Sequence, residues 1–213
     1  VGANAGQTIA VTVDTAATAS IGAFESTGTA SILGTAVATT ALSVRTFAGD
    51  ITLNGHLGAS TVTVNANDSV KTIAANANAV TSSTGITAEA KTYAELAAVS
   101  ADGTVSFELK GTATSSISAV VTTTDLSALK TSINSNAGTT GITADFNNGD
   151  KSKLLLHSAT GENIVVGEYL NSAGGTATID AYGFDGTGAI GAITLTSGGN
   201  DSNVVTGVVK FSS

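Results

Sequence analysis

The sequence predicts an α+β fold that is mainly β, built from two tandem units of strand pair, helix and strand pair, with flanking antiparallel strands from both ends of the chain. Three observations lead to this prediction: an internal repeat, apolar residues at helical spacing inside each copy, and short segments in which apolar and polar residues alternate. They divide the chain into a first unit at 50–105, a second unit at 106–165, and a mainly β part formed by 1–49 together with 166–213.

The internal repeat is visible as one shared offset. The pentapeptide Thr84–Ala88, TGITA, recurs unchanged at Thr140–Ala144, an offset of 56 from position 84 to position 140. The same offset relates further residues: Leu53 and Leu109, Gly55 and Gly111, Val70 and Leu126, Ile73 and Leu129, Ala77 and Ile133. A single offset shared by three separate elements indicates a duplicated unit.

Each unit is predicted to contain one short amphipathic helix. The last three of these pairs place apolar residues at i, i+3 and i+7, which puts them on one face of a helix. Asp68 and Thr124 precede these faces and are predicted to cap the helices by accepting a hydrogen bond from a free backbone amide. We expect Ile73 and Ile133 to be buried, and each helix to lie on an antiparallel sheet.

Alternating residues predict strands in the rest of the chain. In the second unit, residues 142–146 alternate ahead of a turn at Asn147–Asp150, and Leu154–His157 returns as the second strand of a hairpin. Further strands are predicted at Thr8–Val13, Thr176–Tyr182, Ala192–Leu195 and Val204–Phe211, with weaker signals around Ile32, Val37 and Val44. If the flanking segments join near the ends of the chain, Thr8–Val13 lies beside Val204–Phe211.

The composition argues against several classes of protein. Asp and Glu number 16 against 8 Lys and Arg, which works against nucleic acid as a partner because such binding depends on cationic contacts with phosphate. Apolar runs are a few residues long, far below the ~18 needed to cross a bilayer. No basic segment followed by an apolar one marks a signal peptide. Without Cys the chain can form no disulfide and no thiolate metal site.

Two patterns suggest catalysis or metal binding, and both are interpreted as structural. Ser127–Lys130 fits the S-x-x-K pattern of penicillin-binding nucleophiles, but no K-T-G element accompanies it, and the predicted helix turns Ser127 and Lys130 toward solvent. His56 and His157 are the only histidines. Neither belongs to an H-E-x-x-H motif, and a zinc site without Cys would need both of them with a carboxylate.

Acidic and Asn-containing segments are interpreted in the same way. Asp145–Asp150 resembles a calcium loop, but its fifth position is Gly where an EF-hand needs an oxygen ligand, so a hairpin turn is preferred. Asp180 and Asp185, beside the glycines of 183–188, are candidate ligands of a weak calcium site, with a solvated turn as the preferred interpretation. The N-glycosylation triplet, which carries little information, occurs at Asn67–Ser69 and Asn200–Ser202. The sequence therefore predicts no catalytic, cofactor-binding or metal-binding residue.

Two motifs resemble bacterial flagellins. The opening Val1–Ile9, VGANAGQTI, closely resembles the segment where a flagellin leaves its inner helical domain and enters its outer, variable part. The repeat unit is similar to the flagellin insertion repeat, in which a capped short helix is followed by a TGITA-type strand start and later by the motif found here at Ser158–Asn163, SATGEN. The first unit departs from this pattern, since it keeps only Ser100–Gly103, SADG, of that motif.

The resemblance implies the outer, solvent-facing part of a flagellin of the pseudomonad kind, without the long terminal helices that polymerise the filament. It also implies a structural, extracellular role on the motility filament, export without a cleavable signal peptide, O-glycosylation on Ser or Thr, and recognition by antibodies. The implied partners are other flagellin subunits in the filament, with the isolated segment a monomer. No cofactor, nucleic acid or membrane belongs to this expectation.

Two other functions stay open. A glycan- or mucin-binding module of a filament cap or an adhesin-type surface protein would be favoured by an exposed aromatic cluster, because contact surfaces are enriched in Tyr and Trp. The absence of Trp and the presence of only three Tyr, namely Tyr93, Tyr169 and Tyr182, argue weakly against it. An enzyme domain inserted into a flagellin would require a His–carboxylate or Ser–His constellation, and the sequence contains no such motif.

Overall fold

The computed structural model describes residues 25–27, 32–33, 36–38 and 49–213. Within these ranges the chain forms fourteen strands and four short helices, and every strand pairing is antiparallel. The predicted α+β, mainly β, class is confirmed. The predicted strand Thr8–Val13, its pairing with the last strand, and the strand signal around Val44 lie outside the described residues.

The strands and helices occur along the chain as follows. The strands are β1 (Glu25–Thr27), β2 (Ile32–Leu33), β3 (Gly49–Gly55), β4 (Gly58–Val64), β5 (Thr87–Ala97), β6 (Gly103–Lys110), β7 (Thr114–Val121), β8 (Thr143–Asn147), β9 (Asp150–Ser158), β10 (Ile164–Asn171), β11 (Thr176–Tyr182), β12 (Ala192–Thr196), β13 (Asn203–Thr206) and β14 (Val208–Ser212). The helices are α1 (Val70–Ala79), α2 (Thr81–Thr84), α3 (Ser127–Ser135) and α4 (Ala137–Thr140). The predicted strands that became β11 and β12 and the hairpin β8–β9 are confirmed.

The strands form three sheets. In the largest, the order is β1, β14, β5, β11, β12, and β9 also pairs with β5 while β8 pairs with β9. The second sheet has the order β2, β13, β10, β6, β7, and β3 with β4 forms a separate two-stranded sheet. β5 is the centre of the largest sheet, because β14, β9 and β11 all pair with it.

The predicted strand Val204–Phe211 is observed as two strands, β13 and β14, that belong to different sheets. The break falls at Gly207, where a Cβ would overlap the backbone carbonyl of Lys91 in β5. Alternation along 204–211 does not reveal this crossing, because it records only which side chains are apolar.

The main core lies between the two larger sheets. Its fully buried side chains come from both sheets: Leu96, Leu154, Leu156 and Ile179 from the first, and Leu109, Ile117, Ile164 and Tyr169 from the second. α3 contacts β7 and β8, one strand from each sheet, and adds Leu129 and Ile133 to the core. Ile133 is 0% exposed, which confirms its predicted burial.

The helix of the first unit packs in smaller clusters of its own. α1 contacts β4, β5 and β14. The buried residues of α1 and of the strands around it form two groups: Val64, Val70, Ile73, Ala74, Ala90 and Val209 in one, and Leu53, Val62, Ala77 and Ile86 in the other. Ile73 is 6% exposed, so its predicted burial is confirmed, but it lies in a smaller cluster than Ile133 does.

The two units repeat the same side-chain hydrogen bonds at the predicted offset. In the first unit, Asn78 donates through Nδ2 to the carbonyl of Ala88 at 2.8 Å and accepts through Oδ1 from the amide of Ala88 at 2.7 Å. In the second, Asn134 makes the same two bonds with Ala144, at 2.9 and 2.8 Å. Each asparagine therefore ties its helix to the strand that follows, and the duplication extends to atomic contacts.

The glycines of the repeat are also equivalent. Gly85 and Gly141 end α2 and α4 in the left-handed conformation, with φ of 77° and 70°. A Cβ at Gly55 would overlap the carbonyl just before Gly85, and a Cβ at Gly111 would do the same before Gly141. Glycine at these four positions lets the hairpin of each unit lie directly against the end of its helix.

The predicted helix caps are wrong in both units. Ser69, not Asp68, is the N-cap of α1, and its Oγ accepts from the amide three residues later at 3.3 Å. The N-cap of α3 is Leu126, whose side chain accepts no hydrogen bond. Asp125, and not Thr124, accepts from a backbone amide there, two residues later at 2.8 Å. The spacing of apolar residues fixes which face of a helix is buried, but it leaves the first helical residue undetermined.

The predicted second strand pair is present only in the second unit. There the chain reverses at Asn148 and Gly149, which have φ of 51° and 78°. At the repeat offset the first unit has Lys91–Ala94, which contains no turn residue, and β5 runs through it to Ala97. One long strand replaces a hairpin because no residue there favours positive φ.

Candidate functional site

The Ser-x-x-Lys pattern lies at the start of α3. Lys130 forms an ion pair with Asp145 of β8, with Nζ 2.6 Å from Oδ1, and lies 4.4 Å from the centroid of the Phe146 ring. The hydrogen bond from Lys130 lowers the pKa of the Asp145 carboxyl. Leu129 between the two polar residues is fully buried. Lys130 therefore joins the helix to the hairpin, which is a structural task.

The two histidines occupy separate places. His56 lies at the β3–β4 turn, where its ring packs against Gly85. His157 lies in β9 and stacks on Tyr93 of β5, with ring centroids 4.2 Å apart and planes 6° apart. Burial lowers the pKa of His157, and the charge of Lys91 lowers it further. Its Nε2 is buried and has no hydrogen-bond partner within the described part of the chain.

The acidic residues singled out in the sequence hold turns together. Asp180 Oδ1 accepts hydrogen bonds from the amides of Ile190 and Gly191, at 3.2 and 2.9 Å, and so closes the loop between β11 and β12. Asp185 Oδ1 accepts from the amide and hydroxyl of Thr187, which lowers the pKa of Asp185. In the ranges that the structure describes, no three His, Cys, Asp or Glu residues are grouped to hold a metal ion.

Strand pairing brings together aromatic residues that are far apart in the sequence. Tyr93 lies opposite His157 on one side and opposite Tyr182 of β11 on the other. Phe184 extends this cluster, with Lys91 Nζ 4.7 Å from its ring centroid. By strand alternation the cluster lies on the face of the largest sheet that points away from the main core. Sequence patterns did not reveal it, because register between distant strands is not encoded locally.

The rings of this cluster are used for internal packing. Gly186 lies against Tyr93, and a Cβ there would be 3.2 Å from the ring. The hydroxyl of Tyr182 donates to Glu95 Oε2 at 3.1 Å, and Asn147 donates to the same oxygen. Burial raises the pKa of Tyr182, and the Glu95 carboxylate raises it further. Because Tyr93 and His157 stack on each other, the ring faces between them are not free to contact a ligand.

A polar cleft of about 390 Å³ is the second feature that the sequence did not reveal. Three separate segments line it: 67–72 around the start of α1, 110–111 at the end of β6, and 162–165 leading into β10, with Val204 of β13. Asn163 lines the cleft, and its Oδ1 is buried without a hydrogen-bond donor among the described residues. No local motif could have indicated this site, since its walls meet only in the folded chain.

The described helices include none with the length and apolar character needed to cross a membrane.

The repeat was compared with sequence models of known protein families. A sequence model of the flagellin hook IN motif matches the chain twice, at residues 50–102 and 106–160, which is just over half of the chain. The chain belongs to the flagellin hook IN motif family. No curated protein matches this flagellin-type chain.

Family membership confirms the flagellin-type resemblance first indicated by the TGITA and SATGEN motifs. Flagellins are structural subunits of the extracellular flagellar filament, and the family implies assembly with other flagellin subunits. Lys130 forms an ion pair between a helix and a strand, and Asp180 and Asp185 accept hydrogen bonds within turns. These contacts stabilise the fold, as expected of side chains in a structural subunit.

Proposed function

We propose that this chain is the outer, solvent-facing part of a flagellin subunit and that it decorates the surface of the motility filament. The observation that carries the proposal is the pair of family units, folded with the same asparagine and glycine contacts in one antiparallel domain. In these contacts the asparagine side chains form hydrogen bonds with the backbone of their own unit. A domain of this construction provides an outward surface and needs no reaction centre.

The finer parts of the proposal follow from the motifs. Residues 50–105 and 106–165 are the two insertion repeats, and 1–49 with 166–213 form the part that joins them to the rest of a pseudomonad-like flagellin. The polymerising helices belong to other parts of that subunit, and the isolated outer segment is a monomer. Exposed Ser and Thr side chains are the proposed sites of O-glycosylation, and the same surface is the proposed target of antibodies. Intact-mass measurement on protein from the native source tests the glycans, which add discrete masses.

Cysteine labelling of intact filaments tests the proposed position. The chain has no Cys, so one introduced thiol is unique within it. Asn200→Cys places that thiol on an exposed loop between β12 and β13. In filaments assembled from the full-length subunit we expect a maleimide reagent to label Asn200→Cys along the whole filament, as seen by electron microscopy.

Leu129→Cys is the matched control, because Leu129 is 0% exposed. Its thiol should react only after the filament is dissolved in denaturant. If Asn200→Cys in intact filaments reacts no faster than Leu129→Cys, the segment does not face solvent and the proposal fails.

A further inference from the structure

The outer edge of β3 has no strand beside it in the described part of the chain. Among the described strands β3 pairs only with β4, and a two-residue turn at His56 and Leu57 joins them. In such a hairpin the amide and carbonyl groups of alternate residues point away from the partner strand. In β3 these residues are Asp50, Thr52 and Asn54, whose backbone groups bond to no described residue. This edge can therefore accept another strand.

The second unit has a strand at the equivalent edge. β6, which covers the repeat equivalents of most of β3, pairs with β7 on one side and with β10 on the other. Val166 of β10 lies opposite Leu109, the equivalent of Leu53, and Val166 and Leu109 are both buried. In the first unit the strand that follows β5 is β6 itself, which belongs to the second sheet. The first unit therefore lacks the strand that the repeat would place beside β3.

An apolar groove of about 420 Å³ lies along this edge. Residues 51–54 of β3 form one wall, and Ile86 with residues 211–213 forms the rest. None of these described lining residues is charged. Ile51 and Phe211 are only partly buried, so apolar side chains placed in the groove would remove them further from water. The groove therefore suits the apolar face of a strand and not a charged ligand.

The chain itself approaches this groove from its N-terminal side. Glu25, the first residue of β1, pairs with Ser212, which lines the groove. Residues 1–24 precede it and lie outside the described residues, and they include the predicted strand Thr8–Val13. The eleven residues 14–24 can span up to about 36 Å when extended. This connection is long enough for Thr8–Val13 to lie beside β3.

The amino acids of this predicted strand match the edge and the groove. Ile9, Val11 and Val13 alternate with Ala10 and Thr12, so one face of an extended segment would be apolar. β3 alternates in the same way, with its exposed residues on the face opposite its buried leucine. The predicted strand carries no charge, as the groove carries none.

We propose that Thr8–Val13 is the third strand of the β3–β4 sheet, paired with the free edge of β3, with Ile9, Val11 and Val13 in the groove. The connection to β1 gives this segment an effective concentration in the millimolar range, which favours it over a strand from a second copy. The segment would also lie beside Phe211, in the strand that the sequence analysis expected as its neighbour. The inference concerns the first unit alone and does not depend on the position of the domain in the filament.

NMR of the full chain, labelled with ¹³C and ¹⁵N, tests the pairing. We expect the amides of Asp50, Thr52 and Asn54 to exchange with solvent at least about 100-fold more slowly than unstructured amides. We also expect nuclear Overhauser contacts from the methyl groups of Ile9, Val11 or Val13 to the Phe211 ring. Exchange of all three amides within about threefold of the unstructured rate, or absence of these contacts, overturns the proposal.

Two charge substitutions in the segment form a matched pair. Val11→Asp places a carboxylate on the face proposed to enter the groove, and Thr12→Asp places it on the opposite face. We expect Val11→Asp to raise the exchange rate of the Thr52 amide at least about tenfold, and Thr12→Asp to leave that rate unchanged. Equal rates in the two variants overturn the proposal. The contacts measured in the unchanged chain keep the test decisive if Val11→Asp disturbs folding.

Two other occupants of the groove are distinguished by the same spectra. In a mixture of ¹³C-labelled and unlabelled chains, contacts between labelled and unlabelled protons would identify a strand from a second copy. Contacts from residues 39–48 to the Phe211 ring would identify a different segment of the same chain. Either result overturns the proposal. Neither result bears on the maleimide labelling of Asn200→Cys in the filament.

Discussion

Truncating the buried isoleucine on the helix of each unit should cost unequal free energy. Ile133→Ala removes three carbons from a side chain that is 0% exposed in the main core. At about 0.8 kcal/mol per buried carbon, the lost transfer free energy is about 2.4 kcal/mol. A residual void of about 60 Å³ adds about 1.4 kcal/mol at ~24 cal/mol per Å³, so we expect a loss of about 4 kcal/mol in the free energy of unfolding.

Ile73→Ala is the matched comparison. Ile73 is 6% exposed and lies in a cluster of six buried residues between α1 and the strands beside it. Because a small cluster near solvent can collapse around the gap, most of the cavity cost should disappear, leaving a loss of about 2.5 kcal/mol. The expected difference between the variants is therefore about 1.5 kcal/mol.

Urea denaturation followed by circular dichroism measures both losses, and an unchanged slope of free energy against urea shows that compactness is unaltered. Equal losses, or a larger loss for Ile73→Ala, would mean that the second helix is not anchored in the larger core. The argument from the two clusters would then be refuted.

Two further perturbations address backbone packing and pH. Gly207→Ala should destabilise the chain by about 3 kcal/mol, since the new Cβ would overlap the backbone of β5. The control is Gly138→Ala, because a Cβ at Gly138 meets open space. Equal melting temperatures of the two variants would contradict the close approach of Gly207 to β5. His157 has a lowered pKa because of burial and Lys91, so its neutral form is favoured in the folded state. Its contribution is complete above the ordinary pKa of about 6.5 and is lost as pH falls through the lower folded value. His157→Phe should therefore flatten the stability profile between about pH 7 and pH 5, and an unchanged slope by urea titration would oppose this assignment.

The sequence predicted the parts of the fold that local patterns encode. The helix faces around Ile73 and Ile133, the Asn147–Asp150 turn and the strand Thr176–Tyr182 were all found where expected. Each depends on a period of 3.6 or 2, or on a turn residue with positive φ. The absence of a hairpin from the first unit also has a local cause, since Lys91–Ala94 lacks the turn residues found in the second unit.

Local patterns were enough to identify the duplication, the class of fold and the flagellin-type family, because a repeated segment and its periodicity can be recognised in the sequence itself. The folded chain alone decided which distant segments meet. The stack of Tyr93 on His157 depends on the register between β5 and β9, and the cleft at Asn163 depends on the attachment of the second unit's 160–163 segment to α1. Such contacts arise from long-range pairing and packing, whose energies are shared over many residues and leave no motif in any one stretch of sequence.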